Sequence, residues 1–116
     1  MPSATIGNSQ LADALERCAN TCRDTLALYL DPAEAVASPF GRTLLAAIAA
    51  LRTAAAHEAS PAPKRGAALE LAHSLCQTAA AASRKHGLDE PLLRAADACE
   101  RAATLCQHAL RRPNRY

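Results

Sequence analysis

A chain of 116 residues with 13 Lys and Arg against 11 Asp and Glu carries a formal charge of only +2. That length suits a single domain over 1–116 with its own core, and so small a charge gives no reason to expect a nucleic-acid partner. About a quarter of the residues are alanine, Trp is absent, and Phe40, Tyr29 and Tyr116 are the only Phe and Tyr. This composition excludes a sheet core, which wants β-branched and aromatic residues, and predicts an all-α fold. No stretch is long and apolar enough to span a bilayer, so no membrane partner is expected. The opening MPSATIGNSQ lacks a basic segment followed by an apolar run, and a cytoplasmic location is the expectation.

Taken in chain order, a first helix is predicted over about residues 9–30, capped by Asn8-Ser9, with Leu11, Leu15, Cys18, Cys22, Thr25 or Leu26, and Tyr29 on one face. It stops before Asp31-Pro32, because the residue preceding proline is driven out of helical conformation. Asp31 and Glu34 have capping-box spacing, so DPAEAVAS is read as one short turn. A second helix over about 39–58 starts at Ser38-Pro39 and presents Leu44 or Leu45, Ile48, Leu51 and Ala55. SPAPK is read as a stiff connection. A third helix follows over about 64–86, with Leu69, Ala72, Cys76, Ala79 or Ala80 and Ser83 inward and Gly87 at its end. The fourth, about 90–111, turns Leu92, Ala95 or Ala96, Cys99, Ala102 or Ala103, Cys106 and Leu110 inward. Four helices of similar length joined by short links predict an antiparallel up-down-up-down four-helix bundle.

All five cysteines fall on these inward stripes. Cys18 and Cys22 are one helical turn apart and Cys99 and Cys106 two turns apart, so each pair projects from one helix face. In the alternating topology, a rise of 1.5 Å per residue puts Cys18 at roughly 13 Å, Cys22 at roughly 19 Å, and Cys76 and Cys99 at roughly 18 Å above one end of the bundle. Cys106 falls lower, at roughly 8 Å, with His73 between it and the other four. Several sulfurs in an apolar core suit Cu(I) by softness and low coordination number. Zn(II) takes four tetrahedral ligands, commonly from C-x2-C loops, a spacing this chain lacks. Buried cysteine also serves as a small apolar side chain, so plain packing stays open beside metal binding. An odd number of cysteines does not make a closed set of disulfides.

With these stripes in place, the chain resembles the cytosolic copper storage proteins and related cysteine-rich four-helix bundles, which line their inner faces with cysteines at alternating C-x3-C and C-x2-C spacing. LLRAADACERAATLCQHAL sets Leu92, Ala95, Cys99, Ala102 and Cys106 at the cysteine places, and LADALERCANTCRDTLALY does so with Leu11, Leu15, Cys18, Cys22, Thr25 and Tyr29. Leu69, Ala72, Cys76, Ala79 and Ser83 lie on the same frame, and KHG followed by LDE is similar to that group's connection into its last helix. The likeness runs from about residue 9 to 110. It implies a homo-oligomer and a Cu(I)-thiolate core. Most of the family's cysteine places are apolar or small here, and the second helix has none. With five thiols, high-capacity storage gives way to one small Cu(I) site, or to a scaffold without metal.

The expected ligands are Cys18, Cys22, Cys76 and Cys99, with Cys106 as an outlying fifth and His73 as a possible helper. His57, His86 and His108 fall near helix ends, where the dipole favours them. Asp13, Glu16, Asp24, Asp97 and Glu100 lie on outer faces near arginines as solvated pairs. Arg111, Arg112 and Arg115 read as a solvated terminus. No phosphate loop, zinc-protease helix or nucleophile elbow is present, so a non-enzyme is expected. Its partner would be a metal ion. The rival readings are a metal-free helical module for self-association or protein binding, and a thiol redox sensor, which needs an exposed cysteine of lowered pKa.

Overall fold

The computed structural model describes residues 6–111. These form α1 (Ile6–Tyr29), α2 (Pro32–Ala37), α3 (Pro39–Ala56), α4 (Ala62–His86) and α5 (Glu90–Arg111), with no strand among the described residues. Arg112, Arg115 and Tyr116 lie outside them.

Local chemistry explains the breaks. Asp31 caps α2 through a reciprocal box: its carboxylate accepts the Glu34 N–H at 2.8 Å, and the Glu34 carboxylate accepts the Asp31 N–H at 2.9 Å. The single turn expected here is thus a six-residue helix. Ser38 caps α3, its Oγ accepting the Gly41 N–H at 2.9 Å, with Pro39 in the first turn.

Two helix starts differ from the sequence reading. Helix α1 begins at Ile6, so Asn8-Ser9 lie inside it and do not precede it. Helix α4 begins at Ala62, which takes Ala62, Pro63 and Lys64 of SPAPK out of the linker. Pro63 is accommodated because first-turn N–H groups have no intrahelical acceptor to lose. At its other end α4 stops at His86 with Gly87 as its cap, as expected, through an extended backbone and not a left-handed one. The glycine's lack of a side chain leaves room instead, since a Cβ there would stand 2.9 Å from Leu92 Cδ1.

Helix α1 packs against α3 and α5, α4 packs against the same two, and α2 rests on α3. The four long helices enclose one core, in which Leu15, Leu44, Leu51, Leu69 and Leu92 are completely buried together with Cys22, Cys76, Cys99 and Cys106. The expected stripes of α4 and α5 are buried apart from Leu110, which is only partly covered. Helix α3 buries more than one stripe: Ala47, Ala50 and Ala54 join Leu44, Ile48 and Leu51, while Ala55 is only partly covered. Flanked by both α1 and α4, it needs two adjoining apolar faces.

The segments around the α1–α2 and α4–α5 connections converge. His86 stacks on Phe40 with centroids 4.0 Å apart and meets Tyr29 edge-on at 5.9 Å. The Tyr29 hydroxyl donates to Asp89 Oδ2 at 3.2 Å. Along the sides, Arg84 of α4 reaches Asp97 and Glu100 of α5, and Arg52 of α3 reaches Asn20 of α1. Such exposed pairs contribute at most about 1 kcal/mol each, so the apolar core holds the helices together. No described helix is long and apolar enough to cross a membrane.

Candidate metal centre

Cys18 and Cys22 project inward from α1 one turn apart, and Cys99 comes across from α5 to meet both. Cys99 Sγ lies 3.3 Å from Cys22 Sγ and 4.0 Å from Cys18 Sγ, and the three sulfurs all lie within 4.8 Å of one another. Small side chains permit this approach: Ala19 on α1 and Ala95, Ala96, Ala102 and Ala103 on α5 are buried around the sulfurs' helices. Cys22 and Cys99 have no exposed surface, while Cys18 keeps 4%.

Sulfur neighbours separate the ionisation of these groups. Contacts with Cys22, Cys76 and Cys99, in that order of weight, hold the Cys18 thiol far below its usual range, against the opposing effect of burial, and the nearby Arg101 guanidinium adds to this. The same contacts act in reverse on the neighbours. Cys22 is pushed up to about 12, chiefly by its contact with Cys18 and also by burial. Cys76 and Cys99 are likewise raised, with the Cys18 contact as the largest cause. The group thus favours one thiolate shared among thiols. A purely apolar pocket would raise every thiol, and the sulfurs' mutual contacts are what change that outcome for Cys18.

The donor set suits a soft ion. At a metal–sulfur distance of about 2.3 Å, three ligands around one ion stand roughly 4 Å apart, close to the separations found here. Among the described residues, no histidine nitrogen or carboxylate oxygen joins the group of three.

No protein-family model, curated protein or solved structure matches this chain.

The remaining expected ligands are arranged around this triad. Cys76, buried on α4, is near enough to Cys18 and Cys99 to bear on their ionisation but stands outside the group of three. Cys106 is buried apart, and burial is the main reason its thiol is pushed up to about 11. His73 is half-buried and lines a groove between α4 and α5 with Gln77 and Arg84, outside the three-sulfur group. His57 follows α3 and its Nδ1 lies 3.0 Å from Ser60 Oγ. His86 belongs to the aromatic cluster, and His108 is exposed.

One buried ionisable group gave no sequence signal. Glu58 is 8% exposed and pairs with Arg65 at 2.9 Å, while its Oε2 has no partner. It contributes to raising the Cys106 thiol. A lone acidic residue just past a helix end reads as solvated, and only the fold brings Arg65 over it.

Cys18 is the cysteine that opens onto a surface groove, between α1 and α5. In native protein it is expected to alkylate roughly tenfold faster than the other four, as thiolate character and access together dictate. Limited iodoacetamide treatment followed by peptide mapping reads the order. Equal protection of all five until denaturation would contradict this geometry.

Proposed function

We propose that the protein is a non-enzymatic, antiparallel up-down four-helix bundle that binds a single Cu(I) ion through Cys18, Cys22 and Cys99 and so buffers or carries copper. The observation that carries the reading is the meeting of three buried sulfurs from two helices, two of the separations being 3.3 and 4.0 Å. Three soft donors in a core suit a monovalent ion of low coordination number better than Zn(II), which takes a closed set of four. Cys76 is the reserve ligand beside them. The clustering of Tyr29, Phe40, His86 and Asp89 supports alternating helix directions, since it joins two helix C-terminal ends to the N-terminal regions of α3 and α5. The likeness to copper storage proteins in the spacing of the inner positions points to the same chemistry at much lower capacity.

The test is a Cu(I) titration of the fully reduced protein against a chromogenic chelator, beside a variant with all five cysteines changed to alanine. One tightly held ion per chain, lost in the variant, is the expected result. Identical behaviour of the two proteins would leave the cysteines as packing residues and turn attention to protein partners.

A further inference from the structure

The α1–α5 face carries a groove of about 730 Å³. Cys18 lies at it, giving the sulfur cluster its contact with the surface. Four charged side chains line the groove: Arg17 of α1, and Asp97, Glu100 and Arg101 of α5. They are not equally committed. Asp97 and Glu100 are both held by Arg84 from α4, at 3.0 Å for Asp97. Arg17 and Arg101 have no ion-pair partner among the described residues. Arg84 thus offsets one of the two carboxylate charges and holds both side chains towards α4, and with Arg17 and Arg101 counted the five groups carry one net positive charge, the two guanidiniums unpaired on opposite helices beside the outermost thiol.

A bare Cu(I) cation gains nothing from two guanidiniums at the entrance. An anionic carrier does, because fixed positive groups lining a cleft concentrate an oppositely charged ligand and speed its encounter, and a guanidinium forms two parallel hydrogen bonds with a carboxylate.

We propose that the α1–α5 groove is the loading site for copper delivered as a complex of a small anionic thiol, whose carboxylates are received by Arg17 and Arg101 while its metal faces Cys18. This rests on the Cu(I) reading of the sulfur cluster. Transfer is a ligand exchange without change of oxidation state: the carrier's Cu–S bond breaks as a Cu–Sγ bond forms at the Cys18 thiolate, and the carrier leaves as its own thiolate, which takes a proton from solvent. Cys99 and Cys22 lie behind Cys18 to complete the site.

The experiment follows Cu(I) transfer by stopped flow from two carriers, the anionic glutathione complex and the uncharged ligand acetonitrile, into wild type and into an Arg17→Gln/Arg101→Gln variant. Both positions are exposed, so the variant is expected to fold, which circular dichroism would confirm. Loss of Arg101 also acts on Cys18, and the acetonitrile rate measures that effect alone; relative to it, the variant is expected to load from glutathione roughly tenfold more slowly and to lose the salt dependence of that rate. Equal rates from glutathione in the two proteins would overturn the proposal, as would an equal slowing with both carriers. Failure of the wild type to take Cu(I) from either carrier is a separate result, which overturns the metal reading itself.

Discussion

Cys99→Ala is expected to weaken Cu(I) binding by more than about 100-fold, beyond the upper end of what even outer-shell substitutions cost a metal site. Cys106→Ala should leave the affinity within about threefold of wild type on the same reasoning. Cys99 is singled out because it is the sulfur that faces both cysteines of α1, at 3.3 and 4.0 Å, and the only one of the triad supplied by α5. Removing it leaves two thiols on a single helix and one beside them on α4. Either substitution takes one buried sulfur from the core, at a cost of about 1 kcal/mol, so both variants should fold. Competition against a chromogenic Cu(I) chelator, with thermal unfolding of the metal-free proteins as the control, separates loss of a ligand from loss of the fold. Equal affinities for the two variants would remove Cys99 from the site.

The second large effect lies away from the sulfurs. Gly41→Ala is expected to destabilise the protein by about 3 kcal/mol, at the upper end of overpacking costs, lowering the melting temperature by roughly 12 °C. Gly41 is buried where α2 crosses the first turn of α3, and a Cβ there would collide with the backbone carbonyl of Ala35 and stand 2.7 Å from its Cα. Backbone atoms cannot turn aside as a flexible side chain can, so relief requires α2 to lift away, which disturbs the reciprocal cap at Asp31 and Glu34 and the docking of Ala35 in the core. Gly66 provides the contrast. It lies within α4 with open space around its Cα, and Gly66→Ala should stabilise by about 0.5–1 kcal/mol through the entropy of the unfolded chain and better helix propensity. The same chemical change at two helical glycines is thus expected to have opposite signs. Parallel melts of the two variants measure this, and a neutral Gly41→Ala would mean that α2 is not held against α3.

The inward stripes of α1, α4 and α5 were legible because a helix repeats every 3.6 residues, so apolar spacing states which face is covered without knowledge of the partner. Leu15, Cys18 and Cys22, and Leu92, Cys99 and Cys106, are buried accordingly. Caps were legible where proline and a short polar side chain coincide, as at Asp31-Pro32 and Ser38-Pro39. The start of α4 was not, because proline in a first turn and proline in a linker look alike in sequence. The double face of α3 was missed for another reason: alanine carries too little apolar contrast to mark where one buried stripe ends and the next begins.

The metal centre divides in the same way. The sequence by itself placed five thiols on inner helix faces, since helical spacing states which face is covered; the similar heights expected for Cys18, Cys22, Cys76 and Cys99 needed an alternating topology besides the residue count along each helix. Only the tertiary structure decided which of them meet, because contact depends on each helix's rotation about its own axis and on the distance to its neighbours, and these are set by packing against every other helix at once. That packing gathers Cys18, Cys22 and Cys99 into one group, holds Cys76 beside it and Cys106 apart, and gives His73 to a different groove. It also decides the charge at the groove, because Arg84 reaches across from α4 to take Asp97 and Glu100. No local sequence pattern records that crossing.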